Sequence, residues 1–264
     1  MTRRDCLYLV VPWGLLAQEK ATNPNLQGRI AETIRAYEEQ GAHRTGTKVD
    51  QISGDWLAGE VRRSGLIPAR EVFKISRLDP VTGLISLAGR RVEGLPLFDG
   101  GFTDSAGVSG LLGPLGSDAP IGLAEGAPNT TDTGRDALSG LEGNARRSPT
   151  AEARRQNRHR AIVFVTRGGR PGLCPSNAER FLHPFGPPVL QVSSEEASGL
   201  SDAARRGSEV TLIAHVKRTP AEAFNVIASI RGTNRALPPL VIMTPRSGWW
   251  TCASERGGGI RVLA

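Results

Sequence analysis

The sequence predicts an α/β fold, and three observations lead there. Apolar residues recur at helical spacing up to about residue 64, and from Glu71 onward they follow a period of two. Thirty-two glycines and 18 prolines in 264 residues supply many strand ends and turns. Strands and helices alternate between Ala161 and His215, the order of a layered α/β or α+β architecture. The chain is long enough to bury a core without disulfide or metal staples. Its 39% apolar and 22% charged residues are ordinary for a folded chain. No apolar run reaches the roughly 18 residues of a membrane span. Cys6, Cys174 and Cys252 are scattered, which excludes a disulfide scaffold and a Cys-rich zinc module.

Taken in order, Cys6–Ala17 follows Arg3 and Arg4 and has the composition of a signal-peptide core. Asp5, Pro12 and Leu15 interrupt that pattern. A buried strand or docked helix is the preferred reading, which favours a cytoplasmic protein without excluding secretion. Asn25–Gln40 reads as a helix through Ile30, Ile34 and Tyr37, stopped by Gly41. The segment Gly41–Asp50 is a near miss for a phosphate-binding loop. Thr47 precedes Lys48 where the motif needs Lys then Ser/Thr, and a helix stands before it instead of a strand, so the motif is rejected. Ser53–Ser64 is a second helix, on Trp56, Leu57 and Val61. Strands follow at Val72–Ile75, Leu84–Leu87 and Val92–Phe98, then a glycine-rich stretch to Gly122. Asn129–Asn144 is polar and reads as a surface loop. Ala161–Val165 (AIVFV) is a continuous apolar run suited to a central strand. A short helix at Ala178–Leu182, a strand at Pro187–Ser193, a helix at Glu195–Arg206 and a strand at Glu209–His215 come next. Phe224–Gly232 and Pro239–Pro245 read as a closing strand pair around Thr233–Ala236, with no later element to cover it.

The formal charge of +7 is concentrated: nine arginines and two glutamates lie between Asn144 and Arg180. Within it, Ala145–Arg160 carries no aromatic residue for base stacking, so a solvated loop is expected and nucleic acid is disfavoured as a partner. The four histidines, His43, His159, His183 and His215, have no partner at metal-binding spacing, and His43 beside Arg44 is the best functional candidate among them. No G-x-S-x-G elbow is present. Cys174, flanked by Pro175, reads as a small buried hydrophobe.

The order of three segments adds to this. Ala42–Leu66 has an Arg, a Gly-Thr pair and a helix ending in a glycine turn. Ala161–Gly169, with FGPPVLQVS and LSDAARRGSEVTL behind it, forms a strand–helix–strand block. Phe224–Trp250 runs from an Asn-Val strand through a glycine turn to a second strand. This order resembles the co-catalytic di-zinc aminopeptidases, the group of leucyl aminopeptidase, glutamate carboxypeptidase and transferrin receptor, with an inserted protease-associated domain. The resemblance implies a protease-associated-like β-rich domain inserted into an incomplete zinc-aminopeptidase-like α/β sheet domain. The expected boundaries are 1–78, 79–220 and 221–264.

The same resemblance implies a metal site of two zinc ions, with a His-x-Asp at the end of the last strand: the His binds zinc and the Asp orients it. Thr244 and Arg246 occupy those positions here. Threonine is a poor zinc ligand, and a guanidinium repels a dication. Glu255, before Gly257–Gly259, is the nearest equivalent of the bridging carboxylate, and the later Glu-Glu pair and His are not found. No bound zinc is therefore expected, and Glu255 and Arg246 are left as weak catalytic candidates. Three readings follow: a catalytically incompetent aminopeptidase relative, truncated in its catalytic half; a hydrolase of altered chemistry using Arg246, Trp249, Trp250 and Glu255; and a protein- or peptide-binding module acting through the protease-associated-like domain. The uncovered strand pair adds an expectation of self-association.

Overall fold

The computed structural model describes residues 24–126, 148–176, 178, 180–234 and 236–248. Cys6–Ala17, Asn129–Asn144, Trp249, Trp250, Glu255 and Gly257–Gly259 lie outside them. The chain forms two compact units: one of residues up to Phe73 and from Glu222 onward, the other Lys74–Ala221, inserted between the two parts of the first.

The first unit holds helices α1 (Pro24–Glu38) and α2 (Lys48–Arg63). Helix α2 starts five residues before the expected Ser53, because the rejected phosphate-loop motif is its cap. The Thr47 side chain accepts the Asp50 N–H, and the Asp50 carboxylate accepts the Gly46 N–H. This is a reciprocal cap of the kind that satisfies orphan donors at a helix start. The acid in the first turn also suits the positive end of the helix.

The second unit is a mixed sheet of seven strands closed into a barrel. Its strands are β1 (Ala69–Leu87), β2 (Arg90–Pro96), β3 (Val108–Pro114), β4 (Ile121–Gly126), β5 (Ala161–Thr166), β6 (Val189–Val192) and β7 (Glu209–Ile227). They lie in the order β1-β2-β6-β5-β4-β3-β7. Strands β1 and β7 each continue across a boundary between units. β3, β4, β5 and β6 are mutually parallel, and β1–β2, β2–β6 and β3–β7 are antiparallel. Two further helices belong to this unit: α3 (Pro149–Arg155) and α4 (Ala197–Arg205), the latter entered through a 3₁₀ turn at Ser194–Glu196.

β5 explains its own composition. Val163 and Val165 pack in a cluster with Leu190, Val192, Leu212 and the α4 residues Leu200, Ala203 and Ala204. Ile162 and Phe164, on the other face, pack with Val189, Leu97 and Ala153 of α3. A strand buried on both faces has no polar position to alternate with. β1 and β2 meet through a two-residue turn, Ala88 (φ 48°) and Gly89 (φ 80°), the paired left-handed geometry that matches strand twist. β3 and β4 run parallel across only the six residues 115–120, overlapping at Leu112–Pro114 against Ile121–Leu123. Such a connection is short for parallel neighbours. Buried His159 braces it: Nε2 accepts the Gly116 N–H at 3.1 Å and Nδ1 donates to the Ala119 carbonyl at 2.7 Å. A Cβ at Gly122 would come within 2.6 Å of that ring, which is why glycine stands there.

Four sequence expectations are corrected. Val72–Ile75 and Leu84–Leu87 are one strand, β1, running through Asp79–Gly83; Pro80 is exposed, where a strand tolerates a missing donor. The described residues of Ala178–Leu182 are not helical. Arg180–Leu182 are turns, confined between Pro175 and Pro184, and the second proline disfavours helical geometry at His183. The solvated loop expected over Ala145–Arg160 contains α3, begun by Ser148 as N-cap and Pro149, with Ala151 and Arg154 buried. The closing strand pair does not form: β7 ends at Ile227, and Leu240–Met243 lie outside any strand with 69–88% of their surface exposed.

Candidate functional site

The residues singled out by position, Thr244 and Arg246, stand in an extended segment of the first unit that docks on the α1–α2 hairpin. Tyr37 of α1 donates its hydroxyl to the Arg246 carbonyl at 2.6 Å. Thr45 donates to the Ser247 hydroxyl at 2.8 Å, and the Gly248 N–H donates to the His43 carbonyl at 3.1 Å. Three contacts thus fix 246–248 against the turn between the helices, whose geometry is set by Gly41 at φ 92°.

The Arg246 side chain turns into the hairpin. Its guanidinium lies 2.7 Å from the Asp50 carboxylate, donates to the Asp50 backbone carbonyl, and donates to the Phe224 carbonyl at 3.2 Å. The Phe224 ring lies below it at 5.4 Å, and on its other neighbours packs so closely on α2 that any side chain at Gly54 would collide with it. The Arg70 guanidinium stacks on the same ring at 4.6 Å and pairs with Asp55. Asp50 is 1% exposed and the Arg246 side chain 11%, so the pair is almost wholly desolvated. Asp50 therefore serves two purposes: it caps α2 through Gly46 and it balances Arg246.

His43 completes the cluster. Its ring is 1% exposed and stacks on Tyr37 with centroids 4.0 Å apart and planes 5° from parallel. Nε2 lies 3.2 Å from the Gln40 side-chain oxygen. Burial, and then the Arg246 cation, push its pKa below the ordinary 6.5; Asp50 and the Tyr37 backbone pull the other way with less effect.

Thr244 is half-buried and brings only a hydroxyl. Arg246 directs its charge at Asp50, and Asp50 has its oxygens engaged by Gly46 and Arg246. Among the described residues, no three His, Cys, Asp or Glu side chains converge as a metal site. The donors present at this position do not fit a zinc ion, which takes imidazole, thiolate or carboxylate ligands. Glu255, the other catalytic candidate, lies outside the described residues. The remaining histidines do not join the cluster: His159 braces the β3–β4 connection, His183 is exposed, and His215 is half-buried on β7. Cys174 is a half-buried free thiol whose N–H donates to Thr166.

Sequence reasoning missed Asp50 and Tyr37 as partners of this segment. The signal for Asp50 was the Thr47-x-x-Asp50 spacing of a helix cap, masked by the likeness to a phosphate loop.

The backbone matches solved structures closely enough to place it. A zinc aminopeptidase from Bacillus subtilis superposes with a TM-score of 0.62 at 20% identity, over 89% of this chain and 55% of that one. An aminopeptidase from Aneurinibacillus gives 0.56 at 14% identity, over 89% and 56%. The fold is zinc aminopeptidase-like. A peptidase precursor of Shewanella amazonensis gives 0.50 at 14% identity over 80% of this chain. The chain spans about half the length of these aminopeptidase structures. No family model matches the sequence, and no curated protein matches it either. The zinc aminopeptidase-like fold thus emerges from the backbone.

Proposed function

We propose that this protein is a metallopeptidase relative that does not run the di-zinc reaction as this chain, because the first metal position has been given over to a structural ion pair. The observation that carries the reading is the Arg246 guanidinium locked against buried Asp50, at the place where the resemblance to the di-zinc aminopeptidases puts an Asp that orients a zinc-bound His. Di-zinc hydrolysis needs two ions roughly 3.5–4 Å apart with a bridging water, and a carboxylate to take its proton. Arg246 would place a fixed cation beside the first of them. The Lys74–Ala221 unit, a mixed barrel inserted between two stretches of the first unit, supports its reading as a protease-associated-like domain. That domain then carries contacts to peptide or protein.

The test is elemental analysis of the purified 264-residue protein after zinc loading and desalting, with an aminoacyl-anilide assay on the same sample. The expected result is zinc well below one ion per chain and no turnover. Stoichiometric zinc with turnover abolished by a chelator would overturn the proposal.

A further inference from the structure

Four contacts hold residues 246–248 to the helical hairpin, and three of them pass through or beside His43. Its carbonyl receives the Gly248 N–H, its ring stacks on the tyrosine that holds the Arg246 carbonyl, and the Arg246–Asp50 pair lies alongside. The ring is closed off from water. We infer that this contact is a pH-sensitive latch: protonation of buried His43 sets a second cation beside the Arg246 guanidinium and releases residues 246–248 from the α1–α2 hairpin.

The groups that act on the imidazole come from each element around it. Tyr37 and Gln40 belong to α1 and its end, Asp50 to α2, and Arg246 to the docked segment. Asp50 would welcome an imidazolium, but its carboxylate is already balanced by Arg246 at 2.7 Å. A second positive charge would compete for that one anion in a site with almost no water to screen it. The depressed pKa of His43, caused first by burial and then by Arg246, has the sign this competition requires. A histidine whose docked-state pKa lies below 6.5 binds fewer protons docked than released. Docking is therefore complete above that pH and weakens as pH falls through 6.5 toward the depressed value. The inference rests on the hairpin contacts and not on the peptidase reading.

Hydrogen exchange of the whole protein, read by NMR at the Gly248 amide and corrected for intrinsic rate, tests it. In the wild type, Gly248 protection should fall by up to about tenfold per pH unit below about 6.5, while amides in the middle of α1 stay protected. In His43→Phe, which keeps a ring to stack on Tyr37 and cannot be protonated, Gly248 protection should be flat over the same range. A flat wild-type profile, an equal slope in the variant, or simultaneous loss of α1 protection would each overturn the latch. If His43→Phe does not fold, the wild-type titration decides. The His43 ring and the Gly248 amide shift should then share one midpoint, and separate midpoints would refute the coupling.

Discussion

Arg154 is one of nine arginines in the basic stretch, yet it is the largest fully buried side chain in the described structure. It sits on the inward face of α3 and donates to the Asp99 carboxylate at 2.8 Å, the Asp99 carbonyl at 3.0 Å and the Phe185 carbonyl at 3.1 Å. The guanidinium also stacks on the Phe185 ring at 4.0 Å. Asp99 accepts the Arg180 N–H at 3.1 Å on its other oxygen. Burial pushes the Arg154 pKa down and Asp99 holds it up, the balance of a desolvated pair. Nothing in the run of arginines distinguishes this one, since its role depends on Asp99, 55 residues earlier. The Ser148-Pro149 helix start was the available clue, because it turns every third or fourth side chain inward. Removing the cation leaves a buried carboxylate without a counter-charge, which typically costs about 3–5 kcal/mol. Arg154→Met should lower the unfolding free energy obtained from denaturant titration by that amount. Adding Asp99→Leu should recover much of the loss, because no unpaired charge then remains. A loss below about 1 kcal/mol in the single variant would show that water reaches Asp99.

At the level of elements, the sequence revealed existence and type better than extent. Helix α1 was legible from the helical spacing of Ile30, Ile34 and Tyr37, helix α4 from the face it buries, and the strands β5 and β6 from continuous apolar runs packed in the core. β1 was read as two strands because Asp79-Pro80 and Gly83 are turn residues locally, whereas barrel closure keeps the strand going. The segment Leu240–Met243 is the opposite case: four apolar residues with strand composition and no strand partner among the described residues. Strand formation needs a neighbouring backbone, which local sequence does not report. Pro238, Pro239 and Pro245 also remove donors on both sides. The barrel closes on itself and leaves no comparable open edge in its own sheet. An uncharged apolar stretch exposed to this degree should associate. Size-exclusion chromatography with light scattering should therefore show a mass that rises with concentration. Leu240→Lys combined with Ile242→Lys should return the protein to monomer mass. A wild type that is monomeric at all concentrations would show that this segment is covered in solution.

Across the whole molecule, the backbone settles an aminopeptidase-like fold that the order of segments had suggested, at identities of 14–20%. The candidate site was legible in part. Segment order singled out Thr244 and Arg246 as positions to inspect, but the Arg246–Asp50 contact joins residues 196 positions apart and has no local signature. Charge shows the same limit. The sequence places the surplus in one stretch, and the fold takes the described part of that stretch, from Ser148 on, apart. Arg154 is buried, Arg155 pairs with Glu152, and Arg167 pairs with Glu125. Among the described residues, Arg158 and Arg160 precede β5 while Arg167 and Arg170 follow it, so these two exposed groups lie at opposite ends of a six-residue strand. At about 3.3 Å per residue the separation is about 20 Å, more than twice the roughly 8 Å screening length at physiological salt. Two such small, separated groups among the described arginines do not act as one phosphate-binding surface, so binding to nucleic acid should be weak and nonspecific. Fluorescence anisotropy with labelled single- and double-stranded DNA should show binding only at low ionic strength. The dependence of log affinity on log salt should correspond to fewer than about six phosphates. Submicromolar affinity that survives physiological salt would mean that the arginines form a continuous surface after all.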